Sequence, residues 1–180
     1  MIFKNYKDNP KIRKDIQGLY ISAFPRVERP PVNMFFNEAK KIDNELFGVY
    51  IEDKFIGFTN LLLNNDLCYI FFLAVSPTYR NKGYGSQIIQ ETFKLYPNKT
   101  FILCYEEIDE KYPDNDLRIR RSKFYQRNGF KNNNLKTLEY GVYYDTVYHG
   151  HNQVSFDEYL GLMVHCYGSL ANKYIKKASN

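Results

Sequence analysis

The 180-residue chain has no tryptophan, three cysteines and three histidines. The cysteines, Cys68, Cys104 and Cys166, are odd in number and widely separated, and no C-x-x-C pair occurs. That excludes a disulfide framework or a thiolate zinc site and leaves buried, reduced thiols. His149 and His151 flank one glycine without a cysteine or acidic pair beside them, so no metal is assigned. No apolar run approaches the roughly 20 residues that span a bilayer. The opening Met1-Ile2-Phe3-Lys4-Asn5-Tyr6-Lys7-Asp8-Asn9 is too polar for a secretory signal. The expectation is a cytoplasmic protein with no membrane partner. Strong charge is absent too: the net value is +5, and the basic residues do not cluster in a nucleic-acid-binding motif, so nucleic acid is not expected as a ligand. There are no repeats, low-complexity tracts or domain boundaries.

What is present is ordinary for a globular domain, with 44% hydrophobic and 25% charged residues and enough chain for a core. Aromatics are plentiful, 17 Tyr and 14 Phe. Tyrosine lines polar clefts as readily as core rims, so the excess alone assigns nothing. Lys11 to Phe24 places Ile12, Ile16, Leu19, Tyr20 and Ala23 on one helical face and ends at Pro25. Residues 26–31 read as a stiff extended connector and residues 32–42 as a second, shorter helix. Leu46 to Glu52 and Phe55 to Leu63 form a hairpin joined at Asp53-Lys54. A strand ends at Val75, a helix follows through Ile88, Ile89, Thr92, Phe93 and Tyr96, and Thr100 to Tyr105 is the next strand. Residues 118–127 lack Gly and Pro and stop at Asn128-Gly129. Asn132 to Asn134 is a loop or bulge, with strands at 135–140 and 142–148. Ser155-Phe156-Asp157-Glu158 is a capping box opening an apolar helix closed by Gly168. Residues 173–180 read as a frayed polar tail.

The most informative stretch is Arg80-Asn81-Lys82-Gly83-Tyr84-Gly85-Ser86, set between a strand and a helix. Glycines at a helix start leave backbone N–H groups unpaired and uncovered, and with the helix dipole these form an anion site, above all for phosphate. The pattern G-x-x-x-x-G-K-[ST] is absent. The dinucleotide pattern G-x-G-x-x-G/A fails at Ile88, although Glu106 lies about 20 residues on, where a ribose-binding acid would belong. The pattern R/Q-x-x-G-x-G/A is met in full by Arg80, Gly83 and Gly85.

This last pattern resembles the acetyl-CoA loop of the GNAT superfamily of N-acetyltransferases. Phe124-Tyr125-Gln126-Arg127-Asn128-Gly129-Phe130 is similar to the end of that family's fourth helix, and both segments occur in family order with a strand between them. The resemblance covers about residues 40–150. It implies an α/β protein with the GNAT fold: a mixed central sheet of about six to seven strands, splayed at the cofactor site and flanked by helices. An extra C-terminal helix at about 156–168 lies outside the common core, and residues 1–180 form a single domain. It further implies an enzyme using acetyl-CoA as cosubstrate.

Within that resemblance the backbone of Leu73, Ala74 and Val75 pairs with the pantetheine arm. Arg80, Asn81, Lys82, Gly83, Tyr84, Gly85 and Ser86 surround the pyrophosphate, with Gly83 and Gly85 leaving room for it. Tyr125 matches the tyrosine that protonates the leaving thiolate, a job suited to a neutral phenol. Histone-type members carry a glutamate base where this chain has Tyr69, so Glu106, at the end of the next strand, is the candidate base, acting directly or through water. A second departure puts Arg118 and Arg121 seven and four residues before Tyr125, where relatives have Asn and Ala. Either arginine could meet a phosphate instead.

The acceptor is left open. Glu106, Glu107, Asp109, Glu110, Asp114 and Asp116 crowd one region and would favour a cationic amine if they line the acceptor mouth; otherwise they are a solubilising loop. A polyamine, an aminoglycoside-like compound, an amino acid or a peptide N-terminus all fit, and a homodimer is compatible with the chain. Two other functions stay open: an acyl-CoA-binding or sensing module without turnover, and an NAD(P)-dependent oxidoreductase using the same loop and Glu106.

Overall fold

The computed structural model describes residues 1–178. They divide into two units, one of residues 1–63 and 70–97, the other of residues 64–69 and 98–178. Eight strands pair in the order β1-β2-β3-β4-β5-β7-β6-β8.

The first unit holds β1 (Ile2–Asn5), α1 (Arg13–Ala23), α2 (Val32–Glu38), β2 (Asn44–Ile51), most of β3 (Lys54–Asn64), the end of β4 (Leu67–Val75) and α3 (Tyr84–Leu95). In α1 the buried residues are Ile16, Leu19 and Tyr20, the i, i+3, i+4 stripe of the sequence, and the helix stops where Phe24 turns extended before Pro25. The β2–β3 turn is made by Glu52 and Asp53, both at positive φ (48° and 61°), the left-handed pair that a tight hairpin requires. The turn therefore lies one residue earlier than the sequence reading placed it.

The core of this unit is aromatic. Tyr20 stacks on Phe35 with centroids 4.1 Å apart and meets Phe72 edge-on at 5.3 Å, while Phe24 packs against Phe72 at 4.7 Å. Phe36, Phe58 and Leu46 are buried with them. At least here the Tyr and Phe excess builds core.

Two expectations for this unit are corrected. The second helix ends at Glu38 rather than residue 42. Lys40 and Lys41 form tight turns onto Asn37 and Glu38, and Leu63 N then bonds Asp43 O at 2.8 Å, drawing the chain into the sheet and leaving Ile42 exposed. The connector 26–31 is not extended throughout, because Arg26–Glu28 make one 3-10 turn. The N-terminus adds β1, a four-residue edge strand antiparallel to β2 on which the sequence reading made no assignment.

The second unit holds the start of β4, β5 (Thr100–Glu106), α4 (Asn115–Arg127), β6 (Lys131–Glu139), β7 (Val142–His149), α5 (Phe156–Tyr167), α6 (Ala171–Tyr174) and β8 (Ile175–Ala178). β4 pairs with β5 in parallel at Leu67–Thr100, Cys68–Phe101 and Tyr69–Ile102. β5 and β7 pair antiparallel along their length. The asparagine run is a bulge: Asn134 has φ 52° and the β6–β7 register shifts between Asn132 and Lys136. Asn133, turned inward by it, clasps Val154 through both its backbone N and O at 2.8 Å and thereby fixes the entry to α5. The capping box forms as read, with Ser155 N on Glu158 Oε2 at 2.8 Å and Glu158 N on Ser155 Oγ at 3.2 Å.

The expected polar tail is corrected as well. Residues 171–178 form α6 and β8, and β8 pairs antiparallel with β6, because Ile175 is buried against the sheet. Ser179 and Asn180 lie outside the described residues. β1 and β8 bring the sheet to eight strands, above the six to seven expected. Among the described residues no helix is long and apolar enough to cross a membrane.

One close approach governs β4. A Cβ on Gly57 would stand 2.2 Å from the backbone oxygen of Ala74 and 3.1 Å from Val75 Cα. Gly57→Ala must push this strand aside, and a loss of about 1–3 kcal/mol of stability is expected by denaturant titration.

Candidate functional site

In the first unit the chain leaves β4 at Val75, makes a 3-10 turn over Pro77–Tyr79 and enters α3. Arg80 is extended and Asn81 has φ 59°. Gly83 is the N-cap of α3 at φ 80° and ψ −3°, a left-handed conformation that favours glycine. A Cβ there would meet nothing within 4 Å, so Gly83 serves the backbone turn and not a protein contact. No side chain caps α3; its first intrahelical bond is Gln87 N to Gly83 O at 3.1 Å. The first-turn amides, of Tyr84, Gly85 and Ser86, therefore belong to an uncapped positive helix end.

Around this end Arg80, Asn81, Lys82 and Gly83 are exposed, and Tyr84, Gly85 and Ser86 are half-buried. Arg80 Nε donates to Val75 O at 3.1 Å, which holds the guanidinium at the end of β4. Lys82 Nζ lies over the Tyr79 ring at 5.6 Å, and Tyr79 meets Tyr84 edge-on at 6.0 Å. All seven loop residues are thus brought together. Leu73, Ala74 and Val75 precede them on β4, with Ala74 buried and the other two half-buried. The site fits a phosphate-bearing group: uncapped amides, two cations and no side chain at the turn.

The other sequence-selected residues lie in the second unit. Tyr125 sits near the end of α4, half-buried, with its ring stacked on Tyr105 at 5.9 Å and edge-on to Phe130 at 6.1 Å. Burial pushes its phenol up to about 12, with the Arg121 cation opposing and Glu106 reinforcing the shift. It therefore carries its proton throughout the neutral range. The α4 stop forms as read: Gly129 has φ 88°, Gly129 N bonds Gln126 O and Phe130 N bonds Tyr125 O.

Glu106 ends β5, 5% exposed, with Oε1 paired to Arg121 Nη1. Arg118, the other substituted position, is fully engaged: Nε on Asp114 at 2.9 Å, Nη1 on Glu107 O at 2.8 Å, and the guanidinium 3.8 Å above the Tyr112 ring. The acids around them are paired too. Glu107 binds Lys136 at 2.9 Å and Lys111 at 3.1 Å, and Lys136 above all holds its carboxyl below the usual range. Asp109 binds Lys111 at 2.7 Å. The acidic stretch is therefore largely neutralised by its own cations, which a count of acids along the sequence does not reveal.

Sequence reasoning also missed a buried group formed by Tyr69, Cys104, Glu139 and Tyr159. Tyr159 Oη donates to Glu139 Oε1 at 2.6 Å, its ring meets Tyr69 edge-on at 5.5 Å, and burial, helped by the charge of Glu139, raises the Cys104 thiol. One signal was available: Leu135, Thr137 and Glu139 share a strand face by period-2 alternation, which puts a carboxylate on a face begun by leucine.

Arg121→Gln leaves the Glu106 carboxylate buried without its partner. Because Arg121 is itself half exposed, a loss of about 1–3 kcal/mol is expected, and Glu106→Gln/Arg121→Gln should recover most of it in a double-variant denaturation cycle.

Comparison with known proteins places this geometry in a family. The profile described as the Acetyltransferase (GNAT) family matches residues 11–130. A search of curated proteins finds no match by sequence. Among solved structures, a GNAT-family protein from Bacteroides thetaiotaomicron is 21% identical, with a TM-score of 0.76, covering 93% of this chain and 99% of its own. An aminoglycoside 6'-N-acetyltransferase complexed with coenzyme A is 15% identical at a TM-score of 0.61, covering 82% of this chain and 96% of its own. A variant of the spermidine N-acetyltransferase of Vibrio cholerae is 13% identical at 0.63, covering 83% and 94%. These likenesses are of fold, while the family match spans residues of both units, from α1 through the α3 loop to Phe130. The chain belongs to the acetyltransferase (GNAT) family.

Proposed function

We propose that this protein is an acetyl-CoA-dependent N-acetyltransferase that moves an acetyl group to a primary amine by direct attack in a ternary complex, and that residues 1–180 act as one domain. The observation that carries the reading is the uncapped, glycine-turned N-terminus of α3 in a chain of this family. A structural relative holds coenzyme A. The family match runs through both units, which supports a single domain.

In this reading the amides of residues 80–86 and the cations of Arg80 and Lys82 hold the pyrophosphate, and the backbone of Leu73, Ala74 and Val75 aligns the pantetheine arm. Acetyl-CoA supplies the acetyl group as a thioester. The amine nitrogen forms the new bond to the acetyl carbon as the bond to sulfur breaks. Tyr125 gives the departing sulfur its proton; the phenol, raised to about 12, has that proton to give at neutral pH. Glu106 takes a proton from the amine, directly or through water. Arg121 engages Oε1, so Oε2 is the oxygen left for this work.

The acceptor is an amine-bearing compound, with cationic amines favoured by two structural relatives, named for spermidine and for aminoglycosides. The acidic stretch supports this less than its composition would, since Glu106, Glu107, Asp109 and Asp114 already face cations. The exposed Glu110 and Asp116 are the residues that can still attract a cation. Neutralising both should raise the KM of a cationic amine at low salt, and the difference should shrink as salt is added. No change at low salt would remove this stretch from acceptor recognition.

The central test uses two variants. Gly85→Val should abolish thermal stabilisation by CoA in a protein that still folds; stabilisation equal to the parent's would move the cofactor site elsewhere. Tyr125→Phe should lower turnover about ten- to a thousand-fold with CoA affinity nearly unchanged. An unchanged rate on a substrate limited by chemistry would remove Tyr125 from the mechanism.

A further inference from the structure

The reaction above gives Arg121 no task beyond its grip on Glu106, yet its place on α4 sets it beside both groups that move protons. Glu106, buried at the end of β5, meets Arg121 Nη1 through Oε1. Arg121 stands four residues before Tyr125 on α4, one turn away on the same face, where side chains are neighbours. Tyr105, the residue before Glu106, stacks its ring on Tyr125 with centroids 5.9 Å apart. Ser122, the residue after Arg121, donates to Tyr105 Oη at 3.1 Å. The carboxylate, the guanidinium and the phenol therefore share one junction of β5 with α4, all within the second unit. Glutamine at 106 with alanine at 121 would leave no ion to desolvate there, so the ion pair is a costly way merely to join strand and helix.

We propose that Arg121 is a positioning residue that balances charge during acetyl transfer: its positive charge compensates the Glu106 carboxylate before the reaction and the Tyr125 phenolate after it. This role rests on the acetyl-transfer reading. For an amine that arrives neutral, the nitrogen lone pair forms the bond to the acetyl carbon. The bond to sulfur breaks with its electron pair on sulfur. One N–H proton passes to Oε2 of Glu106, and the O–H proton of Tyr125 passes to sulfur. Glu106 ends as a carboxylic acid and Tyr125 as a phenolate. Negative charge has moved from one neighbour of the guanidinium to the other, and the three residues sum to zero before and after. Once the products leave, water carries the proton of Glu106 back to Tyr125 and restores both.

The electrostatics agree with this order of events. Burial is the largest influence on the Tyr125 phenol and raises it to about 12, while the Arg121 cation pulls it down and the Glu106 carboxylate pushes it up. When Glu106 takes its proton, the upward push is gone and the pull of Arg121 remains. The phenol becomes a better acid at the step where sulfur needs a proton. Tyr105 and Cys104, the other ionisable neighbours, are themselves raised by burial and keep their protons. A cation already in place for the phenolate needs no rearrangement when that charge develops. Arg121 is half exposed, so water screens part of its effect.

The test compares Glu106→Gln with Glu106→Gln/Arg121→Gln in the full chain. The amide has the shape of the protonated acid, and neither protein has the ion pair left to lose. The acceptor is a weakly basic amine, neutral near about pH 7, and kcat is measured at saturating acetyl-CoA. Removing Arg121 should lower kcat at least about tenfold, with both KM values and stabilisation by CoA unchanged. With Tyr125→Phe added to both proteins, the difference should fall to about twofold or less, because no phenolate forms. No loss at all, or the same loss with and without Tyr125→Phe, would leave Arg121 a purely structural link and overturn the charge balance. If Glu106→Gln/Arg121→Gln does not fold, Glu106→Gln/Arg121→Met, which keeps the packing of the stem, takes its place. The reading beneath is judged on the unsubstituted protein. Acetyl transfer to no amine by that protein removes the acetyl-transfer reading and the charge balance with it, whereas transfer with either failure above removes the charge balance only.

Discussion

A carboxylate withdrawn from water is stable only when other groups replace the hydrogen bonds it gives up. The second unit buries two, Glu106 and Glu139, and much of its arrangement follows from how they are satisfied. Glu106 draws Arg121 of α4 onto the end of β5. Glu139 takes Tyr159 and Thr137, which ties α5 to β6. The two polar anchors join helices to the sheet, and both lie next to further ionisable side chains. Tyr125 shares the surroundings of Glu106, and Cys104 those of Glu139. A group that is costly to bury is also one whose protonation the interior can shift, so the carboxyl of Glu139 is both an anchor and a perturbed acid.

The first unit solves a different problem. At the start of α3 it presents backbone rather than side chains. Gly83 turns the chain at positive φ and leaves the first amides of α3 uncapped, and Gly57 lets β3 lie against the carbonyl of Ala74. In the core of the same unit Tyr20 stacks on Phe35, and both meet Phe72 edge-on. A turn that presents backbone amides tolerates wide sequence divergence, because every residue but proline supplies the amide. That is consistent with a fold retained at 21% identity and below, while the loop pattern of Arg80, Gly83 and Gly85 stays readable.

Much of the fold was legible in the residues because it is written in local rules. The α1 stripe, the β2–β3 hairpin, the strand–glycine–helix turn, the Gly129 stop and the Ser155 capping box each depend on neighbours within a few positions, and each formed. The errors fell at places where distant pairing decides. Residues 39–42 have helical spacing but are captured by the bond from Leu63 to Asp43. The ends, 2–5 and 175–178, are too short to announce strands in isolation and pair because β2 and β6 offer them edges.

The sequence by itself determined the family, the glycine turn that opens α3 and the place of Tyr125 just before the Gly129 stop, because these rest on short spacings of glycine and aromatic residues whose conformational preferences are intrinsic. Only the tertiary structure decided how the charges are spent. Glu106 meets Arg121, Glu107 meets Lys136, Arg118 clamps the segment before α4, and Cys104, Tyr69, Tyr159 and Glu139 converge from four elements. Partners 15 to 29 residues apart in the first two cases, and up to 90 in the last, cannot be paired by periodicity, since electrostatic and hydrogen-bond energies depend on distance in space.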